Sequence, residues 1–136
     1  GNEDMTLLVD TVKEYLEASN ILADYEYLYL FDESDYKNSF IFVIRQLPTA
    51  SDDIHSLDAD FEVSFITTHN KQPNKVTQVL TDATNLRKYI FENFEYDCII
   101  NTSILSEPSG PFHTESGRSV YRFNFRVETN PELIYG

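Results

Sequence analysis

The sequence predicts an α+β fold, a single domain in which two helices pack on a mainly antiparallel five-stranded sheet. Three observations carry that prediction. Several segments alternate apolar and polar residues with the period of two that a half-buried strand requires. Two others repeat their apolar residues at helical spacing. The order along the chain is helix, strand, strand, strand, helix, strand, strand, and strand runs interrupted by helices indicate an antiparallel sheet covered by helices on one face. At 136 residues the chain suits one core, which we expect to span 1–136, with Gly1 set aside as a scar of tag removal.

Residues 3–19 place Leu8, Val12, Tyr15 and Leu16 at helical spacing, and Asn20 suits a left-handed terminating position. Tyr25–Phe31 and Ser39–Arg45 read as two strands joined by the polar hairpin loop 32–38. The unbroken apolar run of the second strand implies cover on both faces. Residues 48–60, Pro-Thr-Ala-Ser-Asp-Asp-Ile-His-Ser-Leu-Asp-Ala-Asp, hold turn formers and acids and read as a mobile loop. Phe61, Val63 and Phe65 then alternate with Glu62 and Ser64 in a third strand. Val76, Val79, Leu80, Ala83, Leu86, Ile90 and Phe94 mark a helix over 74–93 with Asn74 as its N-cap. A fourth strand is expected from Tyr96 to Leu105 and a fifth from Arg118 to Thr129, separated by a second mobile loop at 107–117.

The charge balance constrains function more than the elements do. Twenty-three acids against ten bases give a formal charge of -13, which opposes binding to nucleic-acid phosphates through counterion release. The acidity serves either solubility or a surface past which polyanions slide without sticking. Cys98 is the one cysteine; it sits in an apolar run, so we expect it to be buried, in a reducing compartment and without a disulfide. No apolar stretch approaches the roughly twenty residues that span a bilayer, and no signal peptide opens the sequence.

A search for chemistry finds little. Asp52, Asp53, His55, Asp58 and Asp60 cluster in sequence, but they lack the spacing of zinc sites and the glycine of a calcium loop, so a solvated acidic loop is the expectation, with no metal and no cofactor. There is no Gly-x-Ser-x-Gly elbow and no phosphate loop. Cys98 in an apolar strand would be a poor thiolate. No catalytic residue is nominated, and the chain reads as a non-enzyme. What survives is the spacing of Arg118, Arg122 and Arg126, three bases at intervals of four on one strand face of an acidic protein. They make either a solvated face paired with cross-strand acids or an intersubunit contact with Asp52, Asp53, Asp58 and Asp60 of a neighbouring copy.

The segment Glu107-Pro-Ser-Gly-Pro-Phe-His-Thr-Glu-Ser-Gly-Arg-Ser-Val-Tyr-Arg-Phe-Asn-Phe-Arg-Val127 joins a loop punctuated by Pro and Gly to a Tyr-x-Phe-x-Phe strand. With the layout of the whole chain, it resembles the small tail terminator (tail completion or minor tail) proteins of long-tailed bacteriophages and prophages. The resemblance implies a homo-hexameric ring that caps the tail tube, stops its polymerisation and joins the head connector. It also implies a virion tail location after assembly in the host cytoplasm, and DNA that crosses the lumen without sequence-specific binding. Glu107, Phe112, His113 and Glu115 would then lie on a partner-facing loop. The rival expectation is a small acidic bacterial binding or regulatory domain that engages a protein or metabolite.

Overall fold

The computed structural model describes residues 3–28, 39–48, 57–68 and 72–130. Its elements are α1 (Glu3–Glu17), β1 (Tyr25–Leu28), β2 (Phe40–Leu47), β3 (Leu57–Ile66), α2 (Pro73–Glu92), β4 (Ile99–Ile104), β5 (Ser109–His113) and β6 (Ser119–Thr129). The strands form one sheet in the order β1-β2-β3-β6-β4. β5 pairs with the first part of β6 and β4 with the last part, so the two share the edge of β6 that faces away from β3. The α+β expectation holds.

Three details of the expected sheet need correction. There are six strands rather than five, because the presumed loop at 107–117 contains β5, hydrogen-bonded to β6. β1 and β2 run parallel, with Tyr25 opposite Phe40 and Leu28 opposite Val43, so the expected hairpin does not join them. A hairpin reverses the chain, whereas parallel neighbours need a crossover. β3 also begins earlier than expected and takes up Asp58 and Asp60 from the predicted acidic loop.

Alternation places Phe42, Ile44, Phe61, Val63, Phe65, Phe123, Phe125 and Val127 on one face, all essentially buried beneath Val12, Tyr15 and Leu16 of α1 and Val79, Ala83, Leu86 and Ile90 of α2. Each such side chain contributes about 1.5–3 kcal/mol on burial. α2 starts on Pro73, so Asn74 is already helical rather than the cap; Gln72 occupies the N-cap without a side-chain bond. Proline at the first helical position has φ already set and no N–H to leave unsatisfied. Asn20 takes the left-handed conformation expected of it, with φ 62°, and Cys98 is buried.

The opposite face carries no helix among the described residues, and most of its side chains are half-buried. At one end it holds an apolar cluster, Ile41, Ile66 and Val120, aligned across β2, β3 and β6 with Val43 and Leu28 packed against it. That cluster supplies the second-side cover that the apolar run of β2 implied. No helix among the described residues is long and apolar enough to cross a membrane.

Candidate functional site

The sheet face turned away from the helices is where the expected arginine ladder should lie. β6 directs Arg122 and Arg126 there, with Asn124 between them, since the alternate residues Tyr121, Phe123, Phe125 and Val127 fill the core. Arg126 does not await a partner. Its Nε donates to Asp60 Oδ1 at 2.6 Å and its Nη2 to Asp60 Oδ2 at 3.1 Å, a bidentate pair across the β3–β6 register. Arg45 of β2 meets its register partner Glu62 of β3 through a single contact, Nη2 to Oε1 at 3.2 Å.

Arg122 is different. No ion pair joins it to a carboxylate among the described residues, and its guanidinium carbon stands 4.7 Å from the centre of the Phe112 ring on β5. Its Nε is buried without a hydrogen-bond partner among those residues. Beside it a shallow depression of about 180 Å³ has apolar walls from Val43, Ile66 and Val120 and polar ones from Glu62, Ser64 and Thr114.

Arg118 leaves the ladder altogether, which corrects the expectation of three exposed bases on one face. It lies just before β6, is fully buried, and donates from Nε to the Thr67 carbonyl at 2.7 Å and from Nη2 to the Ser39 carbonyl at 2.8 Å. Spacing by four predicted its side; it could not predict that the chain segments before β2 and after β3 close over it. The guanidinium therefore ties three segments together rather than facing solvent.

Of the acids expected to answer the arginines, Asp60 is engaged within its own chain and Asp58 sits in β3 with Oδ1 buried. Asp52, Asp53 and His55 lie outside the described residues. Among the described residues no three or more His, Cys, Asp or Glu side chains gather as metal ligands would.

The expected partner-facing segment is exposed but partly structured. Phe112 and His113 belong to β5, all five residues of which are exposed, and Phe112 keeps 45% of its surface accessible. The strand approaches β6 so closely at Gly110, with φ 140°, that a Cβ there would meet the Val120 carbonyl oxygen at 2.5 Å. Glu115 lies in the turn after β5. Glu107 is anchored to α2 by a 2.7 Å ion pair with Arg87.

Sequence reasoning missed the outer flank of α2. Leu80, assigned to the core, is 38% exposed, and Phe91 is 67% exposed. The signal was present: at 100° per residue both fall about a quarter turn from the line of Val79, Ala83, Leu86 and Ile90. Counting Leu80 in the core stripe and leaving Phe91 out of account concealed it.

Compared with known proteins, residues 5–130 match the family model described as phage tail termination protein. No curated protein matches the chain.

Proposed function

Because the chain belongs to the phage tail termination protein family, a component of the virion tail, we propose that it assembles as a hexameric ring on the end of the tail tube. There it stops tube polymerisation and offers its free side to the head connector. The match over residues 5–130, nearly the whole chain, carries this reading. The role is structural, with no catalytic residue and no cofactor, and assembly takes place in the host cytoplasm. The excess of acids suits a ring through which DNA passes, since like charge repels phosphates without sequence-specific contact, over about 8–10 Å at physiological salt.

Within that reading Arg122 is the basic contact of the sheet face. Supporting it are its missing carboxylate partner among the described residues and its fixed position over Phe112. Its proposed counterparts are Asp52 and Asp53 of a neighbouring copy. Arg126 and Asp60 stiffen the same face from within, and the segment from Glu107 to Glu115 faces the adjoining tail component.

The experiment is tube assembly in the presence of the protein, read as tube length and as head joining at two salt concentrations. Wild type should fix the length, and Arg122→Glu should leave tubes overlong, with the difference shrinking as salt rises. Equal capping by the two would remove Arg122 from the contact. A wild type that stays monomeric and leaves tube length unchanged would reject the terminator role in favour of a small binding domain.

A further inference from the structure

Opposite flanks of the helical layer carry a projection and a recess. At 100° per residue, α2 turns Asp82 and Tyr89 to one side of its buried stripe. There the Tyr25 hydroxyl of β1 donates to Asp82 at 2.7 Å, and the Tyr15 ring of α1 meets Tyr89 at 5.4 Å. Leu80, Arg87 and Phe91 fall on the other side, towards β4, where Arg87 reaches Glu107. The Phe91 ring projects from this flank, with the Arg87 guanidinium 5.8 Å from its centre.

On the α1–β1 flank lies an open pocket of about 330 Å³, walled by Leu22, Ala23, Tyr25 and Tyr27 with Lys13 and Glu17 beside them. That is room for an aromatic side chain. Its surroundings are acidic, since Glu14, Glu17, Asp24 and Glu26 are exposed against the one base Lys13, 3.9 Å from Glu17, while Phe91 has the bases Arg87 and Lys88 and the acids Glu92 and Glu95 within about one turn. The projection on one flank thus suits the recess on the other, and Arg87 and Glu17 would bring opposite charges to the contact.

The sheet agrees with a contact between copies. β1 and β4 are the end strands of its path, and the pairings make them run in opposite directions. A copy added head to tail without inversion would set its β1 antiparallel to β4. From Ile99 to Leu105 the β4 segment carries no charged residue, although charge is the usual means of keeping an edge strand unpaired, and Ile100 and Leu105 are exposed along it.

We propose that Phe91 of one subunit seats in the pocket between α1 and β1 of a second copy, with Arg87 facing Glu17. The contact is heterologous, so its repetition closes a ring or propagates. It rests on the ring reading above and names the surfaces that build the ring. An aromatic anchor flanked by arginine, entering a recess, is the arrangement that concentrates binding energy at an interface.

Disulfide trapping on the full chain tests it. Cys98 is buried, and desolvation raises the pKa of its thiol, so it stays silent at mild pH. Chains carrying Phe91→Cys mixed with chains carrying Ala23→Cys should give a covalent heterodimer under oxidation. Neither should form a dimer alone, and one chain bearing both changes should give a ladder of covalent oligomers. In parallel, Phe91→Ser should weaken self-association about tenfold or more, as should Glu17→Arg, with Arg87→Glu restoring the latter. Rings that form normally from Phe91→Ser chains, with no mixed cross-link, would overturn this contact and leave the ring reading standing. Homodimers of the Phe91→Cys chain in preference to the mixed species would overturn it in favour of a symmetric contact. A wild type that neither assembles nor limits tube length would overturn the contact together with the ring.

Discussion

The hydroxyl of Tyr15 in α1 donates a 2.6 Å hydrogen bond to the carbonyl of Asn93, the residue that caps the C-terminus of α2. A carbonyl at a helix end has no partner within its own helix, so the phenol both satisfies that group and fixes the separation of the two helices. Tyr15→Phe keeps the ring and removes the donor. It should lower unfolding free energy by about 1 kcal/mol, measured by urea denaturation, and should speed amide exchange in the last turn of α2. Unchanged stability would mean that the carbonyl finds another donor at no cost.

Arg118 should matter more to folding than to assembly. Replacing it by Met leaves the Thr67 and Ser39 carbonyls without their guanidinium donors, and hydrogen bonds to charged groups contribute about 1.5–3 kcal/mol each. A loss of about 3 kcal/mol or more in urea denaturation is expected. Arg122→Met, at a half-exposed position, should change stability by less than about 1 kcal/mol.

Two leucines of α2 separate core from surface. Leu86 is fully buried, and Leu86→Ala should cost about 2–5 kcal/mol through lost burial and the cavity left behind. At the partly exposed Leu80 the same change should cost under about 1.5 kcal/mol in the monomer. Equal losses in thermal or urea unfolding would place both in the core.

Asp82 couples stability to pH. Burial raises its carboxyl pKa above the ordinary 3.8, outweighing the opposing hydrogen bond from Tyr25. Because the folded state holds this proton more tightly than the unfolded one, the contribution of Asp82 is fully present below the unfolded value and is lost as pH rises through the folded one. Ionised Asp82 is thus a cost at neutral pH. Asp82→Asn, which still accepts from Tyr25, should raise the melting temperature at pH 7, with the gain vanishing as pH falls below about 4. A gain independent of pH would assign the effect to packing instead.

What the sequence disclosed follows from how local each signal is. α2 and the alternation in β3 and β6 were legible because periodicity records which side of an element is buried. The direction of β1 against β2 was not, because it depends on where the intervening chain travels. β5 was hidden by residues that usually make turns: Gly and Pro occupy a strand here because Gly110 must pass close to the Val120 carbonyl. Spacing placed Arg122 and Arg126 on the face away from the core, but the same spacing misled at Arg118, whose surroundings come from segments 51 and 79 residues away.

The position of β6 bears on when the sheet can be completed. β6 lies between β3 and the β4–β5 pair, and its partners across the register with β3 include Leu57 with Thr129. Until residues 119–129 emerge from the ribosome, β4 and β5 have no strand to join and β3 lacks one neighbour. A nascent chain that has not yet exposed residues 119–129 therefore lacks the finished sheet. Synthesis thus makes completion of the sheet wait on β6.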